Sequence, residues 1–369
     1  MLVLTLLAGT AAAQQDPAAA ARMAAGQLAA AAADLARAGE AEDRIAALTR
    51  TVRAYEEGLA LLRENLRRLT IARGAQQARL EARETEIAEL LALLQRIDPG
   101  RTPALLLHPA GALGAARGAM LMADLTPALR SEATMIAAEI ARLGQLAAAQ
   151  EAAMISLSEG RAGAEAARAA LATAASERRD LPRRFEEDPV QRALLMASAG
   201  TLEALAAGVA TTSGRADAAD ALPAVEAGQS IMLPVRGRVI NRPGEPDAAG
   251  LLRPGIMVAT RPRALVTAPV TATVRFAGPF PDHGMVVILE PATDVLFVLA
   301  GLGEVWPVAG EILPAGAAIG LMGSGQPPAE GFLQDSSPTG AEPRSETLYL
   351  EVRVGDGPAN PADWFALVE

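Results

Sequence analysis

The chain has 369 residues, no cysteine, and only two histidines, His108 and His283. The lack of cysteine removes disulfides, thiolate nucleophiles and sulfur-ligated zinc together, and leaves the redox compartment open. Zinc hydrolases usually draw on two or three imidazole ligands, often with another beside the attacking water, so two histidines in unrelated segments are a poor endowment for that chemistry. A basic excess is missing too. With 43 acids against 33 bases and a net charge of −10, the chain as a whole offers no electrostatic footprint for nucleic acid, which is not expected among its partners.

What is present divides into an Ala-rich, Arg/Glu-laced N-terminal part and a Pro/Gly/Val-rich C-terminal part, so two domains are expected, one helical and one β. The chain opens MLVLTLLAGTAAAQQDPAA, an apolar run over 2–8 followed by small residues. This reads as a secretory signal over 1–13, although the basic residues that usually precede such a run are lacking. The alternative is a short buried or membrane-anchoring helix, but the run falls well short of the ~20 residues that span a bilayer. An exported protein is expected.

From residue 16 to about 97 there is no proline after Pro17, and apolar residues recur at alternating spacings of three and four. The series is Ile45, Leu48, Val52, Tyr55, Leu59, Leu62, Leu66, Leu69, Arg73, Gln76, Leu80, Arg83, Ile87, Leu90, Leu94 and Ile97, in which thirteen of sixteen are apolar. That period predicts a coiled coil, against the alternative of a helix in a globular bundle. DPGRTP at 98–103 breaks the helix, and a second helical stretch is predicted from about 121 to 177, folding back antiparallel, so that 16–180 forms a hairpin. An arm of ~80 residues at ~1.5 Å each would reach ~120 Å, a shape suited to reach and partner contact rather than to an enclosed pocket. His108, before Pro109, reads as a packing or capping residue.

A third helix is predicted over 188–209, within a segment at 181–210 apolar enough to need a docking surface, and 211–230 reads as a flexible linker. From 231 to 369 short β-like runs punctuated by Gly and Pro predict a compact, mainly antiparallel β domain. The polar stretch 323–346 reads as a long loop. The last long run, TLYLEVRV at 347–354, alternates apolar and polar residues and predicts a half-buried strand whose other face presents Tyr349, Glu351 and Arg353.

The order LPVRGRVINRPGE, LLRPGIMVAT, APVTATVRFAG, HGMVVILE, VLAGL, LPAGAAIGLMG, TLYLEVRV and GPANPADWF resembles the LytM (lysostaphin-like) zinc endopeptidase domain along its full length, closing on Asn360, Pro361 and Trp364. In active members of that family zinc is held by HxGxD and by the second His of a terminal HxHFE strand, while the first His of that strand and a further His in a YxHL motif assist the attacking water. Here Arg253 and Met257 stand at the first motif, Thr347 and Tyr349 at the two strand histidines, and Gly301 at the remaining one. Arg, Met, Thr, Tyr and Gly do not make a zinc site, so no metal, no cofactor and no peptidase activity are expected.

Together with the signal and the coiled coil, this resembles the murein hydrolase activator EnvC family. The resemblance implies a non-catalytic activator of periplasmic N-acetylmuramoyl-L-alanine amidases in daughter-cell separation. It also implies control through the coiled coil by the FtsE–FtsX inner-membrane complex, contact with peptidoglycan, and a helix, for which 188–209 is a candidate, that restrains the groove. The erased metal site then becomes a partner-binding groove lined by Arg253, Met257, Leu299, Gly301, Thr347, Tyr349 and Arg353. The alternatives are a periplasmic adaptor of membrane-fusion type, which would carry β modules on both sides of its hairpin, and an active endopeptidase with recruited ligands.

Overall fold

The computed structural model describes residues 17–38, 43–85, 87–89, 92, 111–178, 181–213, 228, 230–246, 250, 252–323, 346–355 and 357–367. The predicted signal at 1–13, the DPGRTP break, His108, most of the predicted linker and the 324–345 stretch lie outside the described residues. The chain divides into one unit of residues 1–32 with 57–163 and a second of 33–56 with 164–369.

The helices are α1 (Pro17–Ala38), α2 (Arg44–Ala82) and α3 (Gly111–Glu177). The single first helix expected over 16–97 is therefore replaced by α1 and α2. The stop is local: the Asp43 carboxylate accepts from the Ala46 N–H at 2.9 Å and caps a new helix, satisfying a first-turn donor that a continuous helix would have bonded internally. The heptad series begins only at Ile45, just past that cap, and so gives no sign of the stop. The second stretch starts earlier than predicted, at Gly111, and carries Pro127 inside it.

Within the first unit the stripe read from the sequence is the buried one, with Leu59, Leu62 and Leu69 inside. Cross-links fix the direction: Arg73 donates to Gln150 at 3.0 Å and Gln150 to Thr70 at 3.3 Å, while Arg83 pairs with Glu132 and Glu139. Residues 70–73 stand opposite 150 and residue 83 opposite 132–139, so α2 and α3 run antiparallel here. A third helix joins them. Leu28 of α1 is seated against Gly58 and Gly160, where an added Cβ would lie 2.8 Å from its methyl groups, and glycine at those two sites permits the approach.

In the second unit ten strands among the described residues form an antiparallel sheet: β1 (Gly237–Asn241), β2 (Ile256–Thr260), β3 (Leu265–Thr267), β4 (Ala272–Phe280), β5 (Gly284–Ala292), β6 (Val295–Val305), β7 (Ile312–Leu313), β8 (Ala318–Met322), β9 (Glu346–Val354) and β10 (Gly357–Ala359). The order is β1-β2-β9-β6-β5-β4-β7, with β3 and β8 branching from β6 and β10 pairing β9. One sheet face carries the main core, including Ile256, Val258, Phe297, Leu299, Leu348 and Leu350. The closing motif is part of that core. Asn360 caps the turn Pro361–Asp363 by accepting from the Ala362 N–H at 3.1 Å, and Trp364 then meets Phe297 edge-on at 5.9 Å. The helical ends in this unit are tied to β3: Glu56 accepts from the Leu265 N–H and from Arg168, both at 2.9 Å.

The third helical piece is two helices, α4 (Pro189–Ser198) and α5 (Leu202–Ser213), where one over 188–209 was expected. Asp188 and Thr201 cap them, accepting from Val190 and Ala204 at 2.8 and 3.2 Å, and Gly200 falls between. Gly208 lets the two pack closely, since a Cβ there would meet the Leu195 side chain at 2.7 Å.

Candidate functional site

The second face of the sheet is the candidate site, and it is covered. Residues 347, 349, 351 and 353 of β9 project to the side opposite Leu348 and Leu350, the period-2 consequence of an extended strand. Instead of standing exposed, Tyr349, Glu351 and Arg353 are only 6%, 0% and 5% accessible, which corrects the half-buried reading of this strand. The cover is α5: Leu202, Leu205, Ala206 and Val209 form one apolar cluster with Phe276, Val286, Ile288, Leu296, Val298, Ala300 and Tyr349, and Met257 and Met196 pack at its margin. Burying four such side chains contributes several kcal/mol at about 25 cal/mol per Å².

The polar atoms under this cover are paired along the strand. The Tyr349 hydroxyl donates to Glu351 Oε2 at 2.8 Å, and Arg353 Nη1 donates to Glu351 Oε1 at 2.8 Å. Burial pushes the Tyr349 phenol well above its ordinary range; the Glu351 charge and hydrogen bond and the Glu203 charge add to this, and the Gly255 N–H opposes it. Farther across the face Arg275 and Glu290 pair at 3.4 Å, with the guanidinium 4.7 Å from the Phe185 ring centroid. Burial pushes Glu290 up, partly offset by Arg275, and pushes Arg275 down.

The predicted site residues divide. Met257 faces Tyr349 directly across the β2–β9 ladder, and Thr347, half-buried, pairs with Ala259 one step along. Arg353 joins them on the same face through Glu351. Gly301 reaches the site by backbone alone: with φ +95°, a Cβ would stand 2.4 Å from the Thr347 carbonyl oxygen. Leu299 does not belong. It pairs with Leu350 and is fully buried in the main core on the opposite face, because it is one residue out of phase with Ala300, which does line the site. Arg253 precedes β2, half-buried, and its carbonyl accepts from Gly244 at 3.0 Å; it is not part of the cluster under α5. His283 braces the turn before β5, its Nδ1 2.9 Å from the Pro281 carbonyl and its own carbonyl accepting from the Gly301 N–H at 2.8 Å.

The helix expected over 188–209 as the groove's restraint includes most of the covering helix α5, whereas Glu351, the centre of the buried pair, was missed. The burial had a signal. MVVIL and VLFVLA are unbroken apolar runs, which two-sided burial demands, and the apolar helix after residue 188 supplied the matching surface.

A zinc ion at the family's position does not fit these residues. Arg253 brings a positive charge, Met257 a thioether and Tyr349 a neutral phenol already bonded to Glu351, whereas zinc takes deprotonated or lone-pair ligands in tetrahedral array. Gly301 leaves no room for an imidazole. Among the described residues no group of three His, Asp or Glu is placed to hold a metal.

No protein-family model matches the chain. Among curated proteins it is similar to an uncharacterized protein of Neisseria meningitidis serogroup B, 28% identical over 131 residues, which is 36% of this chain and 19% of that one. Among solved structures it is similar to Helicobacter pylori Csd3 (19% identity, 38% of this chain and 36% of that one, TM-score 0.29). A Pseudomonas aeruginosa protein described as a peptidase M23 is also similar (16% identity, 50% and 65%, TM-score 0.32), as is lysostaphin in solution (13% identity, 38% and 58%, TM-score 0.28). The chain covers less than two thirds of the length of each of these relatives.

Proposed function

We propose that this chain is a non-catalytic activator of peptidoglycan amidases, of the kind represented by the murein hydrolase activator EnvC family, with a degenerate LytM-like β domain as its effector part. The observation that carries the reading is α5 lying on Met257 and Tyr349, the positions where an active relative would hold zinc. A hydrolase site has become an apolar recognition face, and the chain covers that face with a helix of its own. In this reading α5 restrains the site at rest. An amphipathic element of a periplasmic N-acetylmuramoyl-L-alanine amidase takes its place when the helical part, as a coiled-coil hairpin, is driven by an inner-membrane complex of the FtsE–FtsX type at the division site. Export to the periplasm and contact with peptidoglycan belong to the same proposal.

The test is release of dye-labelled peptidoglycan by a purified amidase with and without the chain. Release only in the mixture is expected. Release by the chain alone, or stoichiometric zinc in the purified protein, overturns the reading. Alanine at Tyr349 or Arg353 is a poor probe of docking, because both are buried around Glu351 and truncation takes one of its two partners from that buried carboxylate. Changes at the half-buried Met257 and Thr347 report on docking more directly.

A further inference from the structure

Between α3 and α4 the chain is bound to the sheet as a strap. Arg183 bridges Glu311 in antiparallel sense, the Arg184 N–H donates to the Gly310 carbonyl at 2.8 Å, and the Pro182 carbonyl accepts from the Ile312 N–H at 3.0 Å. Residues 182–184 therefore run beside β7 like a further strand. Phe185 follows, with its ring centroid 4.7 Å from the Arg275 guanidinium, and Arg275 Nη1 stands 3.4 Å from Glu290 Oε2 with both side chains buried. The strap ends at Asp188, whose carboxylate caps α4, and so leads directly into the covering helices. Beneath it the polar groups are poorly matched. Among the described residues neither Glu290 Oε2 nor Thr273 Oγ1 has a hydrogen-bond partner, although both are buried and Thr273 stands opposite Glu290 in the β4–β5 ladder. A buried carboxylate without hydrogen bonds is costly, and an ion pair offsets that cost only where its geometry is good.

We propose that residues 181–187 form a proton-responsive strap, which closes over Arg275 and Glu290 most firmly when Glu290 carries a proton and loosens when that carboxyl is charged. A proton removes the charge that no hydrogen bond meets and supplies a donor for the Thr273 hydroxyl oxygen. Burial is the largest influence on Glu290 and raises its pKa above the ordinary value; Arg275 of β4 and Arg184 of the strap favour the charged form, and Asp294 at the β5–β6 turn disfavours it. The other acids nearby are engaged elsewhere: Glu311 with Arg178, Glu187 with Arg192, and Glu351 with Arg353. Because Glu290 holds its proton to higher pH beneath the strap than in water, closing takes up a proton and is favoured as pH falls towards the ordinary carboxyl range. The proposal does not rest on the amidase reading, since it concerns only the strap's own opening.

The opposing reading is a static ion pair in which charged Glu290 pins the strap through Arg275, and it predicts loosening in acid. Hydrogen exchange on the full chain separates the two, with rates corrected for intrinsic exchange at each pH. The reporters are the amides of Arg184 and Ile312, which carry the strap's main-chain bonds, read relative to those of Phe297 and Leu350 in the main core. We expect relative protection at Arg184 and Ile312 to be about threefold or more higher near pH ~5 than near pH ~8. In Glu290→Gln, neutral at both, this dependence should vanish. In Phe185→Ala, which removes the ring above Arg275, protection at both reporters should fall in acid and the dependence should shrink. Equal protection at the two pH values, stronger protection near pH ~8, or the wild-type dependence persisting in either folded variant overturns the proposal. No amidase enters this measurement, so its failure and that of the amidase reading are distinct.

Discussion

Gly301 shows most directly how a single residue leaves no room for a side chain at the candidate site. It sits at φ +95° with the Thr347 carbonyl oxygen where a Cβ would be, so any side chain both enters the left-handed region and displaces backbone. Gly301→Ala should lower stability by about 2 kcal/mol or more, read as a drop in thermal or denaturant midpoint; a change within about 0.5 kcal/mol would contradict this account of the position. Tyr349 gives a second residue-scale outcome. Its folded-state phenol titrates above the ordinary range of about 10. Above pH 10 the unfolded chain loses the proton while the folded one keeps it, so the folded state is progressively disfavoured as pH rises past that point. Tyr55, the other tyrosine of the chain, is likewise pushed up by burial. In a Tyr55→Phe background, spectrophotometric titration should show no tyrosinate step near pH 10 and a late step coinciding with unfolding; a reversible step near 10 there would show that Tyr349 is not covered.

At the scale of elements, the question is how firmly α5 is held. Leu205 is fully buried in the cluster it shares with Tyr349, and placing a carboxylate there leaves an unpaired charge in apolar surroundings. Leu205→Glu should release α5 from the sheet at a cost of about 3 kcal/mol. Hydrogen exchange should then accelerate across 202–213, with β2, β9 and β6, whose Ile256, Leu348, Leu350 and Leu299 lie in the main core, still protected; uniform acceleration would mean that α5 is integral to the domain rather than a removable cover. The same elements show what was legible in advance. The strand run of the β domain, the buried stripe of α2 and the gathering of Tyr349 and Met257 on one face follow from period and motif order. The α1–α2 cap at Asp43 did not, because a capping carboxylate just ahead of an apolar period resembles any other surface acid. Leu299 was placed on the wrong face because one residue of phase decides the face of a strand, and that phase is set by pairing with Leu350. The burial of Glu351 and Arg353 was hidden because alternation alone cannot reveal that a second layer covers the polar side.

For the whole molecule, a helical part whose α2 and α3 run antiparallel accompanies a sheet whose second face is covered by α5 from within the chain. Among the described residues no helix is long and apolar enough to cross a membrane. The most direct measurement is dye release from labelled peptidoglycan by a purified N-acetylmuramoyl-L-alanine amidase, alone, with the wild-type chain, and with Leu205→Glu. The account predicts no release by either form of the chain alone, weak stimulation by wild type, and stimulation at least severalfold stronger by Leu205→Glu, because displacing α5 uncovers Met257 and Tyr349. Equal stimulation by the two forms, or release by the chain without amidase, would contradict it.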